Sequence, residues 1–400
     1  MNRASWAFAV LLVVAGRMPL HAQVLTEQQF LDDTLAGHPA IAAATAEVAA
    51  ASGVRRQAGI VANPEIAWGR ENPDIVPRQD IFVLNWRLPF DGRRHRMDAA
   101  DAAIDASSSE LEATRLRIRL EMRSLFASWY IAIQREAVLQ ANLDRTRRLS
   151  DRMLARAQGG ESSGLEARRL ALEVEVLGLE AAAARAEARA RRSAAAAWSA
   201  LVTGDVEPTR PPLPTPPSSP DIGARPDIRA LSYRAVAAES RYQLQRRVIE
   251  PPAISVGWTE IADGVRSFDG PVFGVAWPLP LFDRNQGRRE AASAEVSRAH
   301  FELEVGQKRA LEQSQAALAS YTELHAMVVR GAAVEADSDV VDTMLAVFEA
   351  GEASLTDVLD ALRATVDVRM ARIETLANAL AAERELESAL GRPFLSGGNS

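Results

Sequence analysis

The sequence has no cysteine, which excludes a disulfide framework, a thiolate nucleophile, a cysteine-borne lipid and a sulfur-ligated metal. Lysine is almost missing too, with Lys308 the only one. The basic side chains are therefore arginines, interleaved with acids. A formal net charge of −7 leaves no general positive field with which to displace counterions from nucleic acid. The five histidines, His21, His38, His95, His300 and His325, are scattered, and none has a second ligand at metal-binding spacing. No phosphate-binding glycine loop is present, so any energy has to come from a partner. Gly160-Glu-Ser-Ser-Gly164 fits the nucleophile-elbow pattern, which requires a strand before it and a helix after it. It lies between two helical stretches instead. No catalytic residue, metal ligand or cofactor is assigned. Beyond the first residues no apolar run reaches the roughly 18 residues of a membrane-spanning helix. If the chain crosses a membrane, it does so as strands.

What is present begins with an export signal. MNRAS carries an arginine, WAFAVLLVVAG is an apolar run, and LHAQ places a small residue before a cut after Ala22, which predicts a signal peptide over 1–22. A buried N-terminal helix is the competing reading.

The chain then reads twice. GHPAIAAATAEVAAASGVRRQAGIVANPEIAWG, from Gly37, parallels ARPDIRALSYRAVAAESRYQLQRRVIEPPAISVGW, from Ala224. WRLPFDGRR, from Trp86, parallels WPLPLFDRNQGRR, from Trp277, and RMLARAQGGESS, from Arg152, parallels TMLAVFEAGEAS, from Thr343. A proline-rich stretch separates the copies and cannot join a helix. The expected division is a first repeat over 23–206, a linker over 207–223, a second repeat over 224–391 and a tail over 392–400. Each repeat has the order helix, two short strands, very long helix, Gly-Glu turn, long return helix.

Residues 93–158 lack proline and place Ile104, Leu111, Ile118, Leu125 and Leu139 in sevenfold register, with Met122 and Trp129 on the adjoining seam, a coiled-coil pattern. A helix of that length is on the order of 100 Å long, and one over 288–350 is nearly as long. The return helix of the second repeat carries Leu359, Leu362, Val366, Ile373, Leu376 and Leu380, so each repeat folds as an antiparallel hairpin. The alternating runs NPEIAWGREN, DIFVLNWRLPF, PAISVGWTEI and GPVFGVAWPLPLF predict four strands. Ile254, Val256 and Trp258 fall on one face, with Ser255, Gly257 and Thr259 on the other. Such runs suit either a soluble sheet or barrel strands with an aromatic belt at Trp68, Trp86, Trp258 and Trp277. Four strands are too few to close a membrane barrel, which takes about eight. The barrel reading therefore requires several chains.

With these features the sequence resembles the TolC-type outer-membrane efflux channels. The resemblance runs through the repeat, the Arg-Pro-Asp-Ile opening of the second half, the Pro-Leu-Phe-Asp join and the run from Gly351 to Ala361. The Leu-Pro-Leu-Phe-Asp-Arg-Asn-Gln-Gly stretch is similar to members serving heavy-metal exporters of the cobalt-zinc-cadmium resistance type. What it implies is a mainly α fold with a small β part. A homotrimer shares one transmembrane β-barrel in the outer membrane, with a long α-helical tube across the periplasm. It further implies a passive conduit fed by an inner-membrane pump of the resistance-nodulation-division type through a periplasmic adaptor. The runner-up is a periplasmic adaptor or coiled-coil scaffold.

The resemblance also assigns surfaces. Adaptor contacts fall at the hairpin tips, Gly160, Glu161, Ser162, Gly351, Glu352 and Ala353. Asp357 and Asp360 constrict the periplasmic entrance as a ring of carboxylates, while Glu166 matches the first turn more poorly. Phe348 and Ala353 stand where the family's closing latch can use a tyrosine and an arginine, a departure from that pattern. The barrel-to-tube joins are Trp86, Pro89 and Gly92 in the first repeat, and Trp277, Pro278, Pro280, Asp283 and Gly287 in the second. There the prolines end strand pairing, and the turn from Asp283 to Gly287 releases the chain into a helix starting at Arg288.

Overall fold

A computed structural model describes residues 24–72, 77–90, 92–159, 164–219, 222–223, 225–247, 250–333 and 339–393. The expected signal peptide over 1–22 lies outside them. In chain order the elements are β1 (Val24–Leu25), α1 (Glu27–Ala36), α2 (Pro39–Ala58), β2 (Glu65–Glu71), β3 (Arg78–Arg87), α3 (Arg93–Gln158) and α4 (Gly164–Ala196). They continue as β4 (Glu207–Pro208), α5 (Pro226–Gln245), β5 (Ala253–Ala262), β6 (Ser267–Ala276), α6 (Gln286–Ala333), α7 (Asp339–Glu349) and α8 (Leu355–Leu390).

The duplicated sequence produces duplicated local structure. α2 and α5 are both 20 residues long and both start with proline at their first position, where the missing N–H costs no hydrogen bond and the fixed φ already suits a helix. α3 is one helix of 66 residues, on the order of 100 Å long. Its counterpart differs from the single helix expected over 288–350. It starts two residues earlier, at Gln286, and is described as α6 and α7, with residues 334–338 outside the description. α1 has no counterpart in the second half. Thr26 and Gln29 form a reciprocal capping box at its start, the local reason for a helix there. No described helix is long and apolar enough to cross a membrane.

The strands form one antiparallel sheet in the order β2-β3-β5-β6. β3 pairs with β5 from Arg78 opposite Ala262 to Arg87 opposite Ala253, so the sheet joins the two repeats. Glycine packs closely within it: a Cβ on Gly257 would run into the backbone of Phe82 and Val83. The proline-rich stretch lies along the helical body. β4 pairs in parallel with β1, and the Tyr321 hydroxyl donates to the Pro214 carbonyl.

The main apolar core lies midway along α3, where Ile118, Met122, Phe126 and Trp129 meet Phe30 and Leu31 of α1. A second core lies at the far end. It joins Leu149 and Met153 of α3, Leu170 of α4, Val341 of α7 and Leu355, Val358, Leu359 and Leu362 of α8.

Candidate functional site

The pairing register sorts the sheet's side chains into two faces. One face carries cross-strand rows of Ile66, Leu84, Val256 and Phe273, then of Trp68, Phe82, Trp258 and Pro271. The other carries Ala67, Val83, Gly257 and Val272, then Glu65, Asn85, Ser255 and Gly274. On the first face the apolar side chains are bare: Phe273 is 75% exposed and Val275 74%. An apolar surface of that extent calls for a covering other than water. At the end of the sheet remote from the helices the same face turns charged, with Asp80 held by Arg70 and Arg78, each at 2.6 Å. A face of bare apolar side chains with tryptophans in its rows, backed by a face that mixes glycine, alanine and polar residues with valine and isoleucine, is the pattern of a lipid-facing barrel segment.

At the joins, Trp86 continues the lipid-side row and donates its indole N–H to the Ala62 carbonyl at 3.1 Å. The Leu88 N–H donates to the Pro252 carbonyl at 3.0 Å, one bond beyond the last paired residues of β3 and β5. Gly92 caps α3 with φ 79°, and a Cβ there would stand 2.5 Å from Leu244 Cδ1. The backbone angle is what favours glycine at this position. In the second join the left-handed residue is Asn285, with φ 61°, and Gly287 falls inside the first turn of α6. Asp283 accepts from the Asn285 N–H at 2.8 Å, an Asx turn that tolerates the left-handed conformation. The Asn285 amide donates to the Gln245 carbonyl at 2.7 Å and to its side-chain oxygen at 2.9 Å. That contact fastens the turn to the end of α5. Trp277, Pro278 and Pro280 lie in the unpaired stretch between β6 and α6, and Pro89 lies in the equivalent stretch after β3.

Gly160, Glu161 and Ser162 of the first tip lie outside the described residues. At the second tip Gly351 adopts φ 82°. The Glu352 N–H donates to the Val347 carbonyl at 3.1 Å and the Gly351 N–H to the Phe348 carbonyl at 3.0 Å, the Schellman arrangement that ends a helix on a left-handed glycine. Three residues later Ser354 caps α8. Its hydroxyl accepts from the Asp357 N–H at 3.3 Å, and its own N–H donates to the Asp357 carboxylate at 2.9 Å. The Ser354 side chain, and after it the Ser354 backbone, hold the Asp357 carboxyl below the usual carboxylate range. Asp357 and Asp360 are both exposed, three residues apart on one face of α8, while Leu355, Val358, Leu359 and Leu362 bury the other. Phe348 packs into the tip core. Arg152 of α3 pairs with Glu349 of α7, and Arg363 of α8 grips Glu173 of α4 at 2.8 and 2.9 Å. These pairs bind the two hairpins together near the tip.

Sequence reasoning missed the charged groups that lock the repeats together. Arg123, fully buried on α3, donates to Glu27 of α1 and Glu383 of α8 at 3.0 Å each, and to Glu387. Burial acts to lower the Arg123 pKa, but the carboxylates around it outweigh that effect and the guanidinium stays protonated. Burial also raises the Glu383 carboxyl to about 7 against the pull of Arg123, and Glu383 Oε2 has no hydrogen-bond partner among the described residues. Burial thus makes Glu383 hold its proton more tightly than an ordinary carboxyl even with both Arg123 and Arg384 nearby. Glu383 binds its proton more tightly folded than unfolded, where its ordinary value is 4.5. Its contribution to stability is complete below that value and is lost as pH rises through about 7. The melting temperature of the purified protein should therefore fall more steeply between about pH 5 and about pH 8 than that of Glu383→Gln; equal slopes would contradict this assignment.

Arg225 and Asp227 of the Arg-Pro-Asp-Ile motif act in a second lock. The guanidinium grips Asp227 at 3.0 and 2.7 Å and donates to the Ala389 carbonyl at 2.8 Å, satisfying a carbonyl at the end of α8. Gly391, φ 69°, leaves room for this contact, since a Cβ there would stand 2.8 Å from Arg225 Cα. The spacing Arg-Pro-Asp was legible as a motif, but its partner 164 residues away was not.

A sheet with one bare apolar face, continued by two helical hairpins whose longest helix, α3, is on the order of 100 Å long, is the architecture of a protomer of a β-strand membrane channel with a helical tube. No family model matches the chain. It is 26% identical over 370 residues to the cobalt-zinc-cadmium resistance protein CzcC of Cupriavidus metallidurans, covering 88% of this chain and 86% of the relative. It is 25% identical over 338 residues to the nickel and cobalt resistance protein CnrC of the same organism, covering 78% of each. Its fold matches the outer membrane protein VceC of Vibrio cholerae with a TM-score of 0.71 at 19% identity, over 92% of this chain and 96% of that one. The chain is thus similar, at about a quarter identity, to two metal-resistance proteins and shares the fold of solved outer-membrane channels.

Proposed function

We propose that the protein is the outer-membrane channel of a tripartite efflux system. As a homotrimer it is a passive conduit from an inner-membrane pump of the resistance-nodulation-division type, through a periplasmic adaptor, to the outside. The observation that carries this reading is the sheet. Four strands with an exposed apolar face and two unpaired edges are stable in a membrane only when further strands close the ring. Three copies give each strand a partner. The adaptor reading fits less well, because the described residues supply two long hairpins and one sheet shared between them, with no separate β domain to carry an adaptor's hairpin.

The cargo we propose is divalent transition-metal cations, supported by the names of the two curated relatives. Deleting the gene should raise sensitivity to cobalt, zinc, cadmium or nickel salts, with recovery on complementation, and the protein should fractionate with the outer membrane as a heat-modifiable trimer. Sensitivity confined to a drug panel would overturn the metal assignment, and a soluble monomer would overturn the channel.

The tips after Glu349, with Gly351, Glu352 and Ala353, are the proposed adaptor contacts together with Gly160, Glu161 and Ser162. Asp357 and Asp360 are the proposed entrance ring. Their exposure on one helical face supports this role, since three protomers would place six carboxylates around an axis where they attract cations and repel one another. Single-channel recording of Asp357→Asn with Asp360→Asn should show reduced cation preference, by about twofold or more, with higher conductance. Unchanged values of both would remove these residues from the entrance.

A further inference from the structure

The joins have a charge that the channel role leaves unexplained. Residues 86–94, 246–250 and 277–289 hold eight arginines against three acids, in a chain whose net charge is −7. The structure brings parts of these three segments around one cleft at the foot of the sheet, lined by Arg87, Arg247 and Arg288 with Phe90, Leu279 and Phe282, and by the acids Glu250 and Asp283. The apolar members are not packed: Phe282 is 91% exposed, and Phe90 and Leu279 68% each. They follow directly on the strands whose apolar face ends in the row of Trp86, Ile254 and Val275. The opposite rim of the sheet is mixed in charge, with Asp80, Glu260 and Asp269 across neighbouring strands and Arg70 and Arg78 paired to Asp80.

We propose that this cleft is a binding site for anionic phospholipid of the periplasmic leaflet, a proposal that rests on the outer-membrane channel reading above. Two features select this occupant. The cleft is continuous with the apolar surface that meets the membrane, so acyl chains reach Phe90, Leu279 and Phe282 without leaving the bilayer. The arginines lie just beyond that surface, at headgroup depth, where a planar guanidinium takes a phosphate through paired hydrogen bonds. Basic groups at a membrane boundary attract anionic lipid and gain nothing comparable from a zwitterion. Arg247 is partly committed to the protein, since it donates to the Phe90 carbonyl at 2.8 Å and so shapes the cleft floor. Arg87 and Arg288, which both line the cleft, are the headgroup ligands. The site locks the height of the barrel in the bilayer at the point where strands become helices.

The test is native mass spectrometry of the full-length protein purified as a trimer, with phosphatidylglycerol and phosphatidylethanolamine added in equal amounts. The wild type should retain the anionic lipid at least about tenfold over the zwitterionic one, and Arg87→Gln with Arg288→Gln should bring the ratio to about unity. Arg288→Gln alone, which leaves Arg87 in place, should give an intermediate ratio, so the proposal stands or falls even where the double variant does not assemble. Arg298→Gln, on the tube, should leave the ratio as in the wild type. Equal retention of both lipids by the wild-type trimer would overturn the proposal, as would an undiminished ratio in the arginine variants. Displacement of the lipid by inorganic phosphate alone would overturn it in favour of a free-phosphate site. A trimer without lipid preference defeats this inference only, whereas a chain recovered as a soluble monomer defeats the channel reading as well.

Discussion

Replacing Arg123 by methionine should destabilise the folded protein by about 3–5 kcal/mol. Methionine fills most of the arginine's volume, so the loss comes from charge and not from a cavity. Glu27, Glu383 and Glu387 converge on this one guanidinium, and all four side chains are buried. Without it at least one carboxylate is left ionised and unpaired in a dry interior, and the others protonate only at a cost that rises with pH. The loss should therefore be larger at about pH 8 than at about pH 5. Urea unfolding in detergent, followed by tryptophan fluorescence at both pH values, measures it. A loss below about 1 kcal/mol would mean that water reaches the cluster and screens it. Combining Arg123→Met with Glu27→Gln, Glu383→Gln and Glu387→Gln should recover much of the stability, because uncharged partners of similar shape tolerate burial far better than a stranded charge.

The same cluster shows where reading the sequence stops. Local pattern was sufficient for α3, because Ile118, Met122 and Trp129 repeat with helical spacing and the structure buries all three. It was sufficient for the strands, because Ile254, Val256 and Trp258 alternate with Ser255, Gly257 and Thr259 and the register places the two sets on opposite faces. Arg123 carries no such signal. Its partners lie 96, 260 and 264 residues away, and in an arginine-rich chain one more arginine on a helix reads as a solvated side chain. Asn285 was passed over for a different reason. The Asp-Arg-Asn-Gln-Gly turn offered a glycine for the left-handed position, and the structure uses asparagine there because its side chain also fastens Gln245. The capping box at Thr26 and Gln29 was present in the sequence as Thr-Glu-Gln-Gln, but α1 has no copy in the second half, and a reading organised by the repeat passes over what is not repeated. Asp357 has two claims on it: the resemblance puts it at the entrance, and the structure shows its carboxylate also capping α8. Asp360 is therefore the cleaner probe of charge at that mouth.

Replacing Trp129 by alanine should cost about 3–5 kcal/mol, the range for a large aromatic deleted from a packed interior. Trp129 has no exposed surface, and it stands edge-on to Phe126 with ring centroids 6.0 Å apart. Phe126 in turn meets Phe30 of α1 at 5.5 Å. The helices around the site are tied at other points, α8 by Arg225 and α1 by Glu27, so the space is poorly able to collapse. Trp129→Phe should cost far less, under about 1.5 kcal/mol, since the ring plane is kept. The indole N–H it removes has no partner among the described residues, so its removal leaves no acceptor stranded. The alanine variant should first loosen α1. That helix is held by Phe30 through this aromatic stack and by Glu27 through Arg123, and it precedes no counterpart that could replace it. Hydrogen exchange should accelerate over residues 24–36 before it does along α3, and the parallel pairing of β1 with β4 should open with it. Because Glu27 and Phe30 clamp the same short helix, Arg123→Met and Trp129→Ala should not add: once one has released α1, the other has less left to lose. A double variant destabilised by the full sum of the two would show that α1 is anchored independently at each point, and that the aromatic stack and the buried charges are separate structures.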